Sequence, residues 1–352
     1  MRSARVLWYA DPMDDQLAPG EIQDASASYL FAPENRLFAA AGQATLRWPE
    51  SLRGVYPLAV LLAGLAIPFA GAIVVGVPLF LLLGLFVDEP FALFASGDDS
   101  LSLTIELLLG FLPIFVLVWV WLRLFERRRF RTIGLDGGNA FVQYGRGLLV
   151  GLAMFGVGVA VMTLFGFMEV RAVNLGFAAW SGVLIIFAGW VVQGAAEEVL
   201  ARGFLMPIIG ARWHPLIGVI LSSSIFGLLH LFNPNLSWLA MANLVLFGLF
   251  AALYALWEEG LWGVFAIHSV WNWAQGNLFG LPVSGQPFSS NTLLEMTETG
   301  PDVLTGGAFG PEGGLVVTAV LAISALVVWL IARRSQEAAR RPMPPTSSDI
   351  TD

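Results

Sequence analysis

The chain has 352 residues, of which 57% are hydrophobic and only 12% are charged, and its mean hydropathy is +0.74. These values lie far from those of a water-soluble domain and predict an integral membrane protein. The sequence contains no cysteine, which excludes disulfides, thiolate metal ligands and a cysteine nucleophile.

Apolar runs long enough to cross a bilayer recur along the chain. One crossing helix needs about 20 mainly apolar residues, and eight such segments can be counted. They lie in residues 55–87, 101–122, 147–168, 172–196, 213–257 (two spans, divided by the turn sequence LFNPNLSW), 260–278 and 315–331. Hydrophobicity is continuous in these runs and does not alternate, so we predict an all-α polytopic bundle of about eight transmembrane helices, without membrane strands.

The N-terminal part of the chain precedes and begins this bundle. Residues 1–54 are mixed in polarity, and YLFAPENRLFAAAG within them predicts a short interfacial helix. The first apolar run exceeds the length of one crossing and contains three prolines, so it predicts either a tilted or kinked helix or a span with a re-entrant piece. We place the first two spans and a basic loop in residues 55–139.

Charge is distributed unevenly between the loops. Every basic residue is arginine, and arginines precede the first span, form RLFERRRFR after the second and follow the last. The opposite side receives VDEP, SGDDS and an acidic loop. Because short cytoplasmic loops collect positive charge, we predict a multi-pass protein of the cell membrane, plasma or inner, with both termini in the cytoplasm.

The C-terminal half contains two long polar segments. Residues 280–313 are rich in Gly, Pro, Ser and Thr and predict a long non-cytoplasmic loop, either a lid or a spacer. Residues 334–352 predict a disordered cytoplasmic tail. Between the first two spans and this tail, residues 140–333 form the core, and the lack of an internal repeat disfavours transporter folds made of duplicated halves.

Two adjacent glutamates interrupt the fourth span. Glu197 and Glu198 follow 25 uncharged residues, and a charge at the centre of a membrane helix costs roughly 2.5 to 3.5 kcal/mol. A surface pair at the helix end is the alternative, but the apolar pattern continues to Gly210. The two carboxylates are about 100° apart on a helix, so their roles should differ. Glu198 has Arg202 one turn later as a structural partner, whereas Glu197 is free to act as a base.

Histidines occur one turn from a second motif residue on two later spans. His230 follows Phe226 by four residues, and Asn272 follows His268 by four, so each pair shares one helix face. His268 and Asn272 could offer two donors to one oxyanion. The alternatives are a packed core histidine for His230 and an interhelical polar clamp for the second pair. His214, at a turn, is interpreted as a surface residue.

Other intramembrane chemistries lack their signatures. The sequence has neither H-E-x-x-H nor G-x-S-x-G, and the serines at 222–224 have no evident base one turn away. If the fourth and fifth spans form a hairpin that turns at WHP, Glu197 and His230 lie level with each other. The candidate catalytic groups are therefore glutamate, histidine and asparagine.

Three motifs in this order resemble those of a known family. E-E-x-x-x-R at 197–202, F-x-x-x-H at 226–230 and H-x-x-x-N at 268–272 are similar to the motifs of the CAAX protease and bacteriocin-processing family, which includes type 2-like CAAX prenyl proteases and Abi proteins. The resemblance covers about residues 140–333. It implies an intramembrane endopeptidase that cuts peptide bonds within or beside the membrane.

The resemblance also implies roles for single residues. Glu197 and His230 would activate the attacking water, and His268 and Asn272 would bind the carbonyl oxygen as it becomes negative. Orienting roles would fall to Glu198, Arg202 and Phe226. We expect no cofactor, although one glutamate and two histidines could in principle bind zinc.

Two non-proteolytic interpretations stay open. One is a membrane protein for partner binding or bacteriocin self-immunity that retains the bundle without catalysis. The other is a small-molecule transporter, which fits less well because repeats are lacking. For the protease we expect membrane lipid and a membrane-associated peptide or protein as partners, and no nucleic acid.

Overall fold

A computed structural model describes residues 29–46, 48–86, 100–135, 139–287 and 291–340. Nine helices in this part of the chain are labelled in order. They are α1 (Arg36–Thr45), α2 (Tyr56–Leu83), α3 (Ser100–Glu126), α4 (Ala140–Leu164), α5 (Phe177–Arg212), α6 (Pro215–Leu228), α7 (Trp238–Glu258), α8 (Trp262–Trp273) and α9 (Leu315–Arg340). Single helical turns lie at Tyr29–Phe31, Glu50–Arg53, Phe130–Ile133, Asp302–Thr305, Gly307–Phe309 and Pro311–Gly313.

Six of these helices, α2, α3, α4, α5, α7 and α9, are long and apolar enough to cross a membrane. Large apolar side chains on α2 face outward; Leu62 and Ile73 are each 69% exposed, as expected for a lipid-facing surface. The prediction of an all-α polytopic membrane protein is confirmed. Two of the eight predicted spans are shorter than the six long helices. One is α6, which begins at Pro215 and ends at Leu228; the other is α8, which continues past Trp273 only as a π-helical turn, Ala274–Leu278.

A two-stranded antiparallel ribbon was not predicted. β1 (Met168–Val173) pairs with β2 (Leu294–Glu298), with a bulge in β1 between Val170 and Ala172. The expected ends of the third and fourth spans were therefore wrong, because the chain between α4 and α5 leaves the helical conformation and satisfies its backbone polar groups on β2. The ribbon fixes part of the 280–313 loop against the bundle.

The first and last long helices bear on two expectations about the ends of the bundle. α2 is one continuous helix in which Pro68 precedes a π-helical turn, Ala72–Gly76, so no re-entrant piece is needed. α9 continues to Arg340, so the expected disordered tail cannot begin at residue 334. Residues 341–352 and 1–28 lie outside the described residues.

The predicted interfacial helix is α1, and it packs on protein. Phe38 is buried against Gly210, where an added Cβ would collide with the phenylalanine ring. The Arg212 guanidinium at the end of α5 donates to the Thr45 hydroxyl and, at 2.7 Å, to the Gly42 carbonyl. Helix α1 thus packs against the C-terminal end of α5.

Helix α8 lies at the centre of the bundle because its neighbours present glycines to it. Gly147 and Gly151 of α4 face the α8 backbone, with no room for a Cβ at either position. Gly194 of α5 faces Ser269, and a Cβ on Gly194 would lie 2.8 Å from the Ser269 nitrogen. Small residues let helix backbones approach closely in membranes. This approach brings the second half of α5 against the motif residues of α8.

Candidate active site

Glu198 and Arg202 form a buried ion pair on α5. Arg202 Nη1 lies 3.0 Å from Glu198 Oε1, and neither side chain is exposed. The pair spans the start of a π-helical turn, Val199–Leu205, a distortion that is common at functional sites. Sequence reasoning predicted this pairing from the four-residue spacing but assumed a regular α-helix.

The same arginine connects α5 to two other helices. Its Nη2 donates to the Gly248 carbonyl of α7 at 2.9 Å, and its guanidinium lies 4.7 Å from the centre of the Phe226 ring on α6. Such a buried cation needs several compensating contacts. Arg202 therefore fixes the positions of α5, α6 and α7 around the glutamates.

Glu198 has a second partner that the sequence did not predict. His268 Nδ1 lies 2.9 Å from Glu198 Oε1, and both side chains are buried. An ionised carboxylate only accepts hydrogen bonds, so Nδ1 of His268 carries a hydrogen in this contact. Glu198 thereby orients the imidazole ring of the third motif.

Glu197 points in another direction, toward a cavity. Its side chain is 14% exposed, and its Oε2 lies 3.6 Å from His268 Nε2, beyond ordinary hydrogen-bond distance. Within the described residues this oxygen has no hydrogen-bond partner. The two adjacent glutamates thus occupy different environments, as their angular separation on the helix predicted.

His230 lies in the turn that follows α6. Its Nδ1 is 2.8 Å from the Phe226 carbonyl, and its ring centroid is 5.0 Å from that of Phe226. A carbonyl oxygen only accepts, so Nδ1 donates in this contact, and in the neutral imidazole Nε2 carries the lone pair. The Phe226 ring also lies 5.8 Å from the His268 ring. Phe226 therefore contacts the key side chains of the other two motifs.

Asn272 is buried on α8, one turn beyond His268. Its Nδ2 donates to Gln193 Oε1 at 2.8 Å. Gln193 lies on α5, one turn before Glu197, and sequence reasoning gave it no role. A buried amide in an uncharged run, four residues from the candidate base, was a signal that could have identified it.

One cavity of about 740 Å³ brings the four candidate catalytic residues together, a volume typical of ligand sites. Its lining includes Glu197, His230, His268 and Asn272, together with apolar residues of α2, α3, α7 and α9. Among the described residues no direct hydrogen bond joins Glu197 to His230, so any joint action on a substrate requires a molecule between them.

Two further glutamates line the cavity without having been predicted. Glu106 is the one charged residue of the second predicted span, and it lies on α3. Glu312 comes from the loop after β2; its Oε2 accepts from Ser284 N at 2.7 Å, and its Oε1 accepts from Trp271 Nε1 at 3.2 Å. Described residues of the predicted 280–313 loop therefore contribute to the lining of the cavity.

The zinc alternative can be compared with the available donors. The described residues contain no group of three or more His, Cys, Asp or Glu side chains placed to hold a metal ion. His268 directs Nδ1 at Glu198, which leaves one nitrogen on that ring for any ligand. This donor set does not fit a metal centre.

Comparison with known proteins gives one match. Residues 178–274 match the sequence model of a family described as type II CAAX prenyl endopeptidase Rce1-like. This segment runs from the start of α5 through α8 and contains all three motifs. No curated protein and no solved structure matches the chain.

Proposed function

Because residues 178–274 belong to the type II CAAX prenyl endopeptidase Rce1-like family, we propose that the protein is an intramembrane endopeptidase that hydrolyses a membrane-associated protein or peptide. The family is one of proteases, and the chain is an integral membrane protein. The observation that carries the proposal is the convergence of Glu197, His230, His268 and Asn272 on one cavity within the bundle.

In the proposed reaction a water molecule binds between Glu197 and the Nε2 lone pair of His230. Glu197 takes a proton from this water as its oxygen forms a bond to the substrate carbonyl carbon. When the tetrahedral intermediate collapses, the carbon–nitrogen bond breaks and the leaving amine receives that proton. The Oε2 of Glu197, which has no hydrogen-bond partner among the described residues, suits this role better than the ion-paired Glu198 does.

The carbonyl oxygen becomes negative as water adds, and it requires donors at that moment. Asn272 has two Nδ2 hydrogens, one of which is used by Gln193, so the other is available. His268 donates from Nδ1 to Glu198 and can also donate from Nε2 only as the imidazolium. The flanking carboxylates of Glu197 and Glu198 would balance that positive charge.

The test uses membranes from cells that carry the wild-type, Glu197→Gln or Glu169→Gln protein. Proteomic analysis identifies new peptide termini in each membrane preparation. Glu169 is an exposed glutamate on β1, outside the cavity, and is the matched control. We expect termini that depend on the wild-type protein, vanish with Glu197→Gln and persist with Glu169→Gln. Termini that persist with Glu197→Gln would show that the base is assigned wrongly.

Two alternatives, a zinc enzyme and a non-catalytic protein, predict different results for the same set of proteins. A zinc enzyme would lose activity with chelators and would carry stoichiometric metal after purification. A binding or self-immunity protein would retain its cellular phenotype with both Glu197→Gln and His230→Ala. Either result would replace the glutamate mechanism.

A further inference from the structure

Gln193 is a buried amide next to the candidate site. It lies on α5 one turn before Glu197, is 6% exposed and lines the cavity. Burying an amide in apolar surroundings costs free energy unless it is hydrogen-bonded. Within the described residues, its hydrogen-bond partner is Asn272 of the third motif, on α8.

The direction of this hydrogen bond determines how the Asn272 amide is held. Gln193 Oε1 accepts from Asn272 Nδ2 at 2.8 Å, so the nitrogen end of Asn272 is turned toward α5, and both residues line the cavity. An amide nitrogen has two hydrogens in one plane. With one hydrogen directed at Gln193, the direction of the other is fixed.

We propose that Gln193 is a positioning residue that holds the second Nδ2 hydrogen of Asn272 toward the carbonyl oxygen of the substrate. This inference rests on the proposed function. A donor that is already oriented costs no reorganisation when the oxyanion forms. A freely rotating Asn272 would instead have to lose side-chain freedom in each catalytic cycle.

Gln193 also connects the base to the oxyanion donors. Glu197 and Gln193 share one face of α5, while His268 and Asn272 share one face of α8. Two side-chain hydrogen bonds join these helices at the motif residues, Glu198 with His268 and Gln193 with Asn272. Glu198 orients His268, and Gln193 holds Asn272, the other donor of α8.

The test uses Gln193→Met, which retains an unbranched side chain of similar length but cannot accept a hydrogen bond. Gln143→Met on α4, outside the cavity, is the matched control. The substrate probe is an internally quenched peptide built on a cleavage site located by the terminus comparison, with protein reconstituted in phosphatidylcholine vesicles. Thermal unfolding of each variant establishes that it is folded.

We expect Gln193→Met to lower kcat about tenfold or more with KM nearly unchanged, because the interaction acts in the transition state. Asn272→Ala should cost about 10² to 10³ in kcat. The double variant should be no slower than Asn272→Ala alone, since Gln193 acts through Asn272. Additive losses, or a change confined to KM, would overturn the proposal.

A spectroscopic measurement decides the contact independently of activity. In protein labelled with ¹⁵N-asparagine, the Asn272 side-chain amide signal, assigned by its loss in Asn272→Ala, should shift in Gln193→Met and stay in place in Gln143→Met. An unshifted signal would overturn the inference. Failure of the proposed function is recognised separately, by cleavage that does not depend on Glu197.

Discussion

Glu198 Oε1 and His268 Nδ1 lie 2.9 Å apart, although 70 residues separate them in the chain. This contact joins the first motif to the third and makes Glu198 a shared partner of Arg202 and His268. Glu197, its neighbour, lines the cavity, and among the described residues its Oε2 has no hydrogen-bond partner. The paired glutamates therefore divide into one that connects neighbouring helices and one that lines the cavity.

This division predicts opposite results for two identical substitutions. Glu197→Gln should leave the free energy of unfolding nearly unchanged and abolish cleavage. Glu198→Gln leaves the Arg202 guanidinium buried without an anion and should lower the free energy of unfolding by about 3 kcal/mol or more. Chemical denaturation in detergent micelles measures both variants, and equal stability of the two would contradict the assignment.

The Glu198 and Arg202 ion pair should be coupled strongly in a double-mutant cycle. Glu198→Leu and Arg202→Met each leave one buried charge uncompensated, whereas the double variant replaces both charges by apolar groups. We expect the double variant to be more stable than either single one, with a coupling of about 2 kcal/mol. Cleavage should remain absent, because His268 loses its orienting carboxylate. Additive destabilisation would show that the pair contributes little.

The sequence predicted which residues meet in the site better than it predicted how they meet. Charged and polar groups are costly in an apolar helix, so Glu197, His230 and Asn272 stood out, and all of them line the cavity. Four-residue spacing also predicted the pairing of Glu198 with Arg202. Both inferences rest on local features of the sequence, namely polarity within an apolar run and the four-residue period of a helix.

Contacts between helices could not be predicted in the same way. The approach of Glu198 to His268 depends on the packing of α5 on α8, which no local pattern specifies. The ribbon of β1 and β2 was missed because Met168–Val173 lies where two apolar runs nearly touch, and hydropathy assigned both ends to helices. Glu106 was overlooked for a simpler reason, since a single acid in a long apolar run changes its mean hydropathy little.

Glu298 provides a pH-dependent test outside the membrane spans. Burial raises the pKa of this β2 carboxyl from its ordinary value of 4.5, and the nearby Asp302 raises it further, while a hydrogen bond from Thr305 opposes the shift. The folded chain therefore holds the proton more tightly than the unfolded chain. Its contribution to stability is complete below about pH 4.5 and is lost as the pH rises through the folded pKa.

Glu298→Gln keeps a neutral side chain that can still accept from Thr305. We expect the stability of wild type relative to this variant to decline as the pH increases from about 4.5. Thermal unfolding of both proteins over a pH series measures the difference and cancels groups that they share. If the stability difference between the two proteins did not vary with pH, or if wild type gained stability over Glu298→Gln as the pH rose, the raised pKa of Glu298 would be contradicted.

The distance between α5 and α8 should control the site through Gly194. A Cβ at this position would lie 2.8 Å from the Ser269 nitrogen, so Gly194→Ala must separate the helices and move Glu198 away from His268. Overpacking of this kind costs about 1 to 3 kcal/mol, and cleavage should fall with it. Gly156→Ala on α4, where an added Cβ meets nothing within 4 Å, should keep full activity and stability. If Gly194→Ala matched Gly156→Ala in both measurements, close approach of the two helices would not be what sets the geometry of the site.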